Sequence, residues 1–191
     1  MIERKVNLIL VRHGETKDNA HDILIGHNDS PLTTSGKKIT KKVAKDLKKE
    51  KIDCFYCSPL GRAIETAQII LKDLDYLSLN IEPFLIERDF GILSGRRKGE
   101  TFKYNSKILK ADIVDRFLEA KGLETFPQLF ERAHKLIEKM ERRHPFKVIL
   151  LVTHGSIGKM IRAAYYGWDW QKGLEAPYLA RDTILKLKKE K

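Results

Sequence analysis

At 191 residues, with 42% hydrophobic and 33% charged residues, the chain is long enough to bury a full core and too apolar to read as disordered. No apolar run reaches the length of a bilayer span, and the N-terminus leads into an apolar stretch too short for a secretory leader, so one cytoplasmic domain over residues 1–191 is expected. The formal net charge of +11 fits an anionic small-molecule partner or nucleic acid; solvated lysine faces without interleaved aromatics favour the first, with no nucleic acid and no membrane.

The first element is Val6-Asn7-Leu8-Ile9-Leu10-Val11, apolar on both faces apart from Asn7, as in a strand buried between helix layers. Ile39, Val43, Ala44 and Leu47 then mark one face of an amphipathic helix whose lysines take the other. Residues 52–58 read as a second strand, pointing Cys54 and Cys57 to opposite faces; no second pair follows to complete a metal site, so both are expected to be buried structural cysteines. Helical stripes follow at Ala63, Ala67, Ile70 and Leu71, at Leu129, Ala133, Leu136, Ile137 and Met140, and at Ile157, Met160, Ile161 and Ala164. Between the last two lies the continuous apolar strand Val148-Ile149-Leu150-Leu151-Val152, and residues 183–188 partly alternate, as an edge strand does. The order implies a three-layer α/β/α sandwich with a mostly parallel central sheet and an antiparallel edge strand. Residues 94–126 interrupt it, mixing charge, glycine and scattered apolar residues; they read as a partly helical insertion that either covers a site or is plain surface.

Chemistry gathers at strand ends. Arg12-His13-Gly14-Glu15-Thr16 closes the first strand and Thr153-His154-Gly155-Ser156 closes the later one. Ligands of open α/β sheets bind outside the carboxyl ends of the strands, so two histidines placed there are expected to face one pocket. The adjacent glycines permit close approach of backbone and ligand. The helix that follows each motif aims free N–H groups at an anion. Arg62 falls in the first turn of a helix, where a cation opposes the dipole and a bound phosphate would give it a reason. His21, Asp22, His27 and Asp29 have no common metal-ligand spacing and are read as a polar loop, while Ser156 is read as a helix N-cap.

Together these motifs resemble those of the histidine phosphatase superfamily, also called the phosphoglycerate mutase-like family. The resemblance rests on Arg12-His13-Gly14-Glu15-Thr16, then Asn19, Gly26 and the run from Asp29 to Gly36. It continues through Ser58-Pro59-Leu60 with Arg62-Ala63 and Thr66-Ala67, then Glu87-Arg88-Asp89-Phe90-Gly91, then Thr153-His154-Gly155. It implies that His13 is a nucleophile attacking phosphorus and that Arg12, Arg62 and His154 hold the phosphoryl oxygens. It further implies that Glu87 protonates the leaving oxygen, a role that asks it to start protonated, and then activates water. Asn19, Gly26 and Gly155 would line the phosphate pocket. No metal and no cofactor enters this scheme, because the cations are side chains.

The same motifs serve a phosphatase, where water takes the phosphoryl group, and a mutase, where a second substrate hydroxyl does. The stretch from Glu87 to Glu100 is similar to mutases. Residues 101–126 are shorter than the mutase insertion and contain no adjacent arginine pair, and Ile25 stands where mutases carry a small hydroxyl residue. The sequence therefore favours a phosphatase acting on a phosphorylated small metabolite. A cofactor-dependent phosphoglycerate mutase is the alternative, and a non-catalytic phospho-ligand binder a further one. Nothing in the sequence bears on oligomeric state.

Overall fold

The computed structural model describes residues 6–104, 107–111 and 114–188. Its main sheet has five strands: β1 (Asn7–Arg12), β2 (Cys54–Cys57), β3 (Leu79–Ile81), β6 (Val148–Thr153) and β7 (Leu185–Leu187), in the order β3-β2-β6-β1-β7. β3, β2, β6 and β1 run parallel, and β7 pairs antiparallel with β1 at the edge. This is the expected sandwich: β1 and β6 lie side by side in the middle and read as unbroken apolar runs because both of their faces are covered.

Alternation along the strands divides the core in two. Leu8, Leu10, Tyr56, Ile149 and Leu151 face α4 (Phe126–Arg143) and α5 (Gly155–Tyr166). Ile9, Val11, Phe55, Cys57, Leu150 and Val152 face α2 (Thr34–Leu47) and α3 (Gly61–Leu71). Cys54 and Cys57 do point to opposite sides, Cys57 fully buried and Cys54 half-buried near His144. α2 begins at Thr34, earlier than the apolar stripe alone marks, because the Thr33 hydroxyl accepts from Gly36 N–H and caps it. Two short helices complete the set, α1 (Lys17–Ala20) and α6 (Trp170–Glu175).

The insertion at 94–126 holds a 3₁₀ helix, Lys98–Tyr104, and an antiparallel pair that the sequence reading did not include, β4 (Lys107–Ala111) with β5 (Val114–Glu119). Its apolar residues come in adjacent pairs, Ile108-Leu109 and Phe117-Leu118, so the period-two signal of a half-buried strand is blurred. The flank of the insertion is tied to the loop after α1: Leu24 N–H donates to the Arg96 carbonyl at 2.9 Å, and Gly95 N–H donates to that of Leu24 at 2.7 Å. Leu24, Leu93 and Leu123 form a small apolar cluster beneath this clasp. Gly91 makes the crossing possible, with φ +54° and no room for a Cβ against the backbone of Lys121 and Gly122.

Leu151 is fully buried at the centre of β6. Leu151→Ala should lower the unfolding free energy by about 2–5 kcal/mol, read as a reduced urea midpoint at unchanged m-value.

Candidate active site

Adjacent parallel strands bring the two histidines together. Arg12 on β1 is in register with Thr153 on β6, and the next amide, His13 N–H, donates to the Thr153 carbonyl at 2.9 Å. The His13 and His154 rings consequently stand 5.0 Å apart, centroid to centroid, and both are buried. His13 Nδ1 lies 2.7 Å from the Gly14 carbonyl. A carbonyl only accepts, so Nδ1 carries the proton and Nε2 keeps its lone pair. Burial, then the positive charges of Arg62 and Arg12, hold the imidazole well below the usual histidine pKa, so it is neutral.

His13 lines a cavity of about 400 Å³ together with Arg12, Arg62, Glu87, Asn19, Gly26 and Gly155. Every expected site residue except His154 is thus on its wall. His154 lies behind His13, fully buried, with Nε2 2.7 Å from the Ser58 hydroxyl and Nδ1 without a hydrogen-bond partner.

Arg62 is placed by the loop it reaches across. Its Nη1 donates to the Asn28 carbonyl at 2.7 Å and Nη2 to the Gly26 carbonyl at 2.8 Å, while Nε is buried without a partner. The unfavourable position of this cation at the start of α3 is relieved from elsewhere. Asp29 caps the helix, its carboxylate accepting from Gly61 N–H at 2.8 Å and Arg62 N–H at 3.2 Å. Gly26 has φ +56°, which turns its carbonyl to Arg62 and favours glycine there. Asn19 closes a capping box with Thr16, which commits Oδ1 and leaves its Nδ2 donors. Among the described residues, no group of three or more His, Cys, Asp or Glu is placed to hold an ion.

Glu87 is buried, 8% exposed. Its carboxylate accepts from Gly155 N–H at 3.0 Å, Ser156 N–H at 3.1 Å, Ile157 N–H at 3.2 Å and Arg88 N–H at 2.9 Å. The amides at the start of α5 were expected to face a ligand; they are occupied by this carboxylate, which binds them as an external anion would. Ser156 is therefore no N-cap. His154 holds that position without a side-chain cap, and Glu87 satisfies the first turn. Each of these hydrogen-bond donors to the carboxyl is an N–H group. The Glu87 segment is in turn gripped by Arg132 of α4, which donates to the carbonyls of Phe84, Ile86 and Glu87 and pairs with Glu124 at 2.8 Å.

Arg88, Phe126, Tyr178 and Arg181 are among the cavity residues that sequence reasoning did not pick out as site residues. Arg88 was legible as the neighbour of Glu87. Tyr178 and Arg181 belong to an irregular segment near the end of the chain, and only the packing of Tyr178 against Gly155 and Arg12 brings it to the site.

Comparison with known proteins agrees with this geometry. A family model described as the histidine phosphatase superfamily (branch 1) matches residues 8–189. Phosphoglycerate mutase-like protein 4 of Arabidopsis thaliana is 34% identical over 162 residues, 83% of this chain and 69% of that protein. Phosphoserine phosphatase 1 of Hydrogenobacter thermophilus is 30% identical over 168 residues, 87% of this chain and 79% of that protein. Among solved structures, Bacillus stearothermophilus YhfR matches with a TM-score of 0.81 at 25% identity, covering 97% of this chain and 92% of that one.

Burial of two neutral histidines has a measurable consequence. Burial and neighbouring positive charge depress both His13 and His154, so the unfolded chain takes up their protons near pH 6.5 while the folded one does not. Stability should be full above that pH and fall below it, by about 1.4 kcal/mol per pH unit for each histidine. Denaturant titrations from pH 8 to pH 5 should show this slope, and His154→Gln should remove about half of it.

Proposed function

The chain belongs to the histidine phosphatase superfamily, and from that membership we propose that it is a phosphatase of small phosphorylated metabolites working through a phosphohistidine on His13. The observation that carries the proposal is the His13 Nδ1–H···O=C bond to Gly14, which leaves a neutral Nε2 for a cavity walled by Arg12 and Arg62. Phosphoryl transfer is catalysed chiefly by positioning and by charge, and these groups supply both. Phosphatase-named relatives support the same reading.

In the first half of the reaction the Nε2 lone pair bonds to phosphorus and the ester P–O bond breaks, the leaving oxygen taking a proton from Glu87. In the second half water attacks phosphorus, its proton goes to Glu87, and the N–P bond breaks to restore the imidazole. Arg12 and Arg62 hold the phosphoryl oxygens, with planar forks matched to them and buried Nε groups still unpaired. Asn19 and the Gly26 turn shape the wall beside them. His154 supports the ring of His13 from behind. Since guanidinium groups carry the positive charge, no metal is needed, and a reducing, cytoplasmic setting suits the two free thiols.

A second reading, return of the phosphoryl group to another hydroxyl of the same substrate, is favoured by the likeness to the mutase-like relative. Incubation with 3-phosphoglycerate, with and without 2,3-bisphosphoglycerate, separates the two. Release of inorganic phosphate without 2-phosphoglycerate supports the phosphatase; rapid 2-phosphoglycerate formation overturns it.

The wild-type chain should hydrolyse an aryl phosphate in the presence of EDTA and yield an acid-labile phosphoenzyme on rapid quenching. His13→Ala should abolish both, and retained turnover would remove the nucleophile assignment. Glu87→Gln should lower kcat by about 10²–10⁴-fold. Because its amide sets N–H donors against the α5 amides, the variant's unfolding midpoint is measured alongside.

A further inference from the structure

The segment that delivers Arg62 also carries a polar side chain with no part in the phosphoryl scheme. Thr66 is fully buried and shares the inner face of α3 with Ala63, Ala67 and Ile70. A valine would fill the same volume there, and a buried hydroxyl is unfavourable unless its hydrogen bonds are made. Both are made. Oγ1 donates its one proton to the Arg62 carbonyl at 2.7 Å, since a carbonyl only accepts. Toward its other neighbour the oxygen can then only accept, and it receives Gly14 N–H at 3.0 Å from a distant part of the chain.

That amide directly follows the nucleophile. His13 N–H donates to the Thr153 carbonyl at 2.9 Å and the next N–H goes to Thr66, so the backbone of His13 is held from both sides. Packing closes in on Gly14 as well: a Cβ there would stand 2.8 Å from Thr40 Oγ1 and 3.1 Å from the Gly36 carbonyl. Held in this way, Gly14 presents its own carbonyl to His13 Nδ1 at 2.7 Å, the contact that keeps the proton on Nδ1. A neutral imidazole without such a partner carries its proton on either nitrogen, and a proton on Nε2 would occupy the lone pair that must attack phosphorus. One hydroxyl therefore joins the backbone of the nucleophile to the turn of α3 that carries Arg62. Both ends act on the same phosphoryl group, so their relative placement bears on the rate.

We propose that Thr66 is a positioning residue for the nucleophile: its hydroxyl, oriented by the Arg62 carbonyl, pins the Gly14 amide and so holds His13 as the Nδ1–H tautomer. The kinetic part of this inference rests on the phosphatase reading above; the tautomeric part rests on the geometry alone. Thr66→Val keeps the shape and removes the hydroxyl. Its kcat on an aryl phosphate should fall by about 10- to 10²-fold, while inhibition by inorganic phosphate changes by less than about threefold. Thr66→Ser, which keeps the hydroxyl, should return kcat to within about threefold of wild type. Nitrogen-15 NMR of the His13 imidazole reads the tautomer directly at neutral pH. The wild-type chain and Thr66→Ser should show a protonated Nδ1 and a bare Nε2, and in Thr66→Val the two signals should move toward each other as the tautomers mix. Unfolding midpoints are measured alongside. Should Thr66→Val not fold, Thr66→Ala is read in its place: a water can satisfy the amide there but is not anchored to α3, so the same signals should move by a smaller amount. Unmoved imidazole signals in the folded variant overturn the proposal even where kcat falls, since the hydroxyl is then merely structural. A loss of kcat that Thr66→Ser does not restore overturns it too. An inactive wild-type chain overturns the phosphatase reading instead, and the imidazole signals then decide the role of Thr66 by themselves.

Discussion

The carboxylate of Glu87 at the start of α5 is the contact on which the site depends. It joins the segment after β3 to the turn after β6, two stretches far apart in the chain. A buried carboxylate loses several kcal/mol of hydration, and four N–H donors together with three nearby guanidiniums offset that loss. The same negative charge works in the other direction, favouring the charged forms of Arg12, Arg62 and Arg88 against their own burial. Without it the first turn of α5 would lack these acceptors and Arg12, Arg62 and Arg88 would lose their shared counter-charge.

Around this anchor the site is built by pairs of distant elements. β1 and β6 are neighbours, so His13 and His154 meet although most of the chain separates them. Arg62 and Asp29 exchange services between a loop and a helix: the aspartate caps the helix, and the arginine side chain braces the loop through its carbonyls. Arg132 does the same for the Glu87 segment from α4. Each contact uses a backbone group that a plain surface loop would leave to water, so the catalytic side chains stand on a framework with little freedom to move.

The cations then divide by what surrounds them. Arg12 and Arg62 stand beside the neutral His13 imidazole and lower its affinity for protons. Arg88 and Arg181 come from segments whose chain courses are irregular, one held by stacking on Phe126 and the other reached only through the last loop.

Hydrophobic patterning alone determined much of this protein. Two unbroken apolar runs meant strands covered on both faces, the partial alternation at the end meant an edge strand, and motifs at strand ends put His13, Arg12 and Arg62 at one mouth. These were legible because they follow from periods of two and 3.6 residues along a local stretch. The structure of the insertion was not, since paired apolar residues such as Ile108-Leu109 carry neither period. Nor were the partners of Glu87, the place of His154 behind His13, or the arrival of Arg181, because each is a contact between segments remote in the chain. Sequence determined which candidate residues stand at the strand ends; only tertiary packing decided which N–H groups meet the Glu87 carboxylate and which histidine lines the cavity.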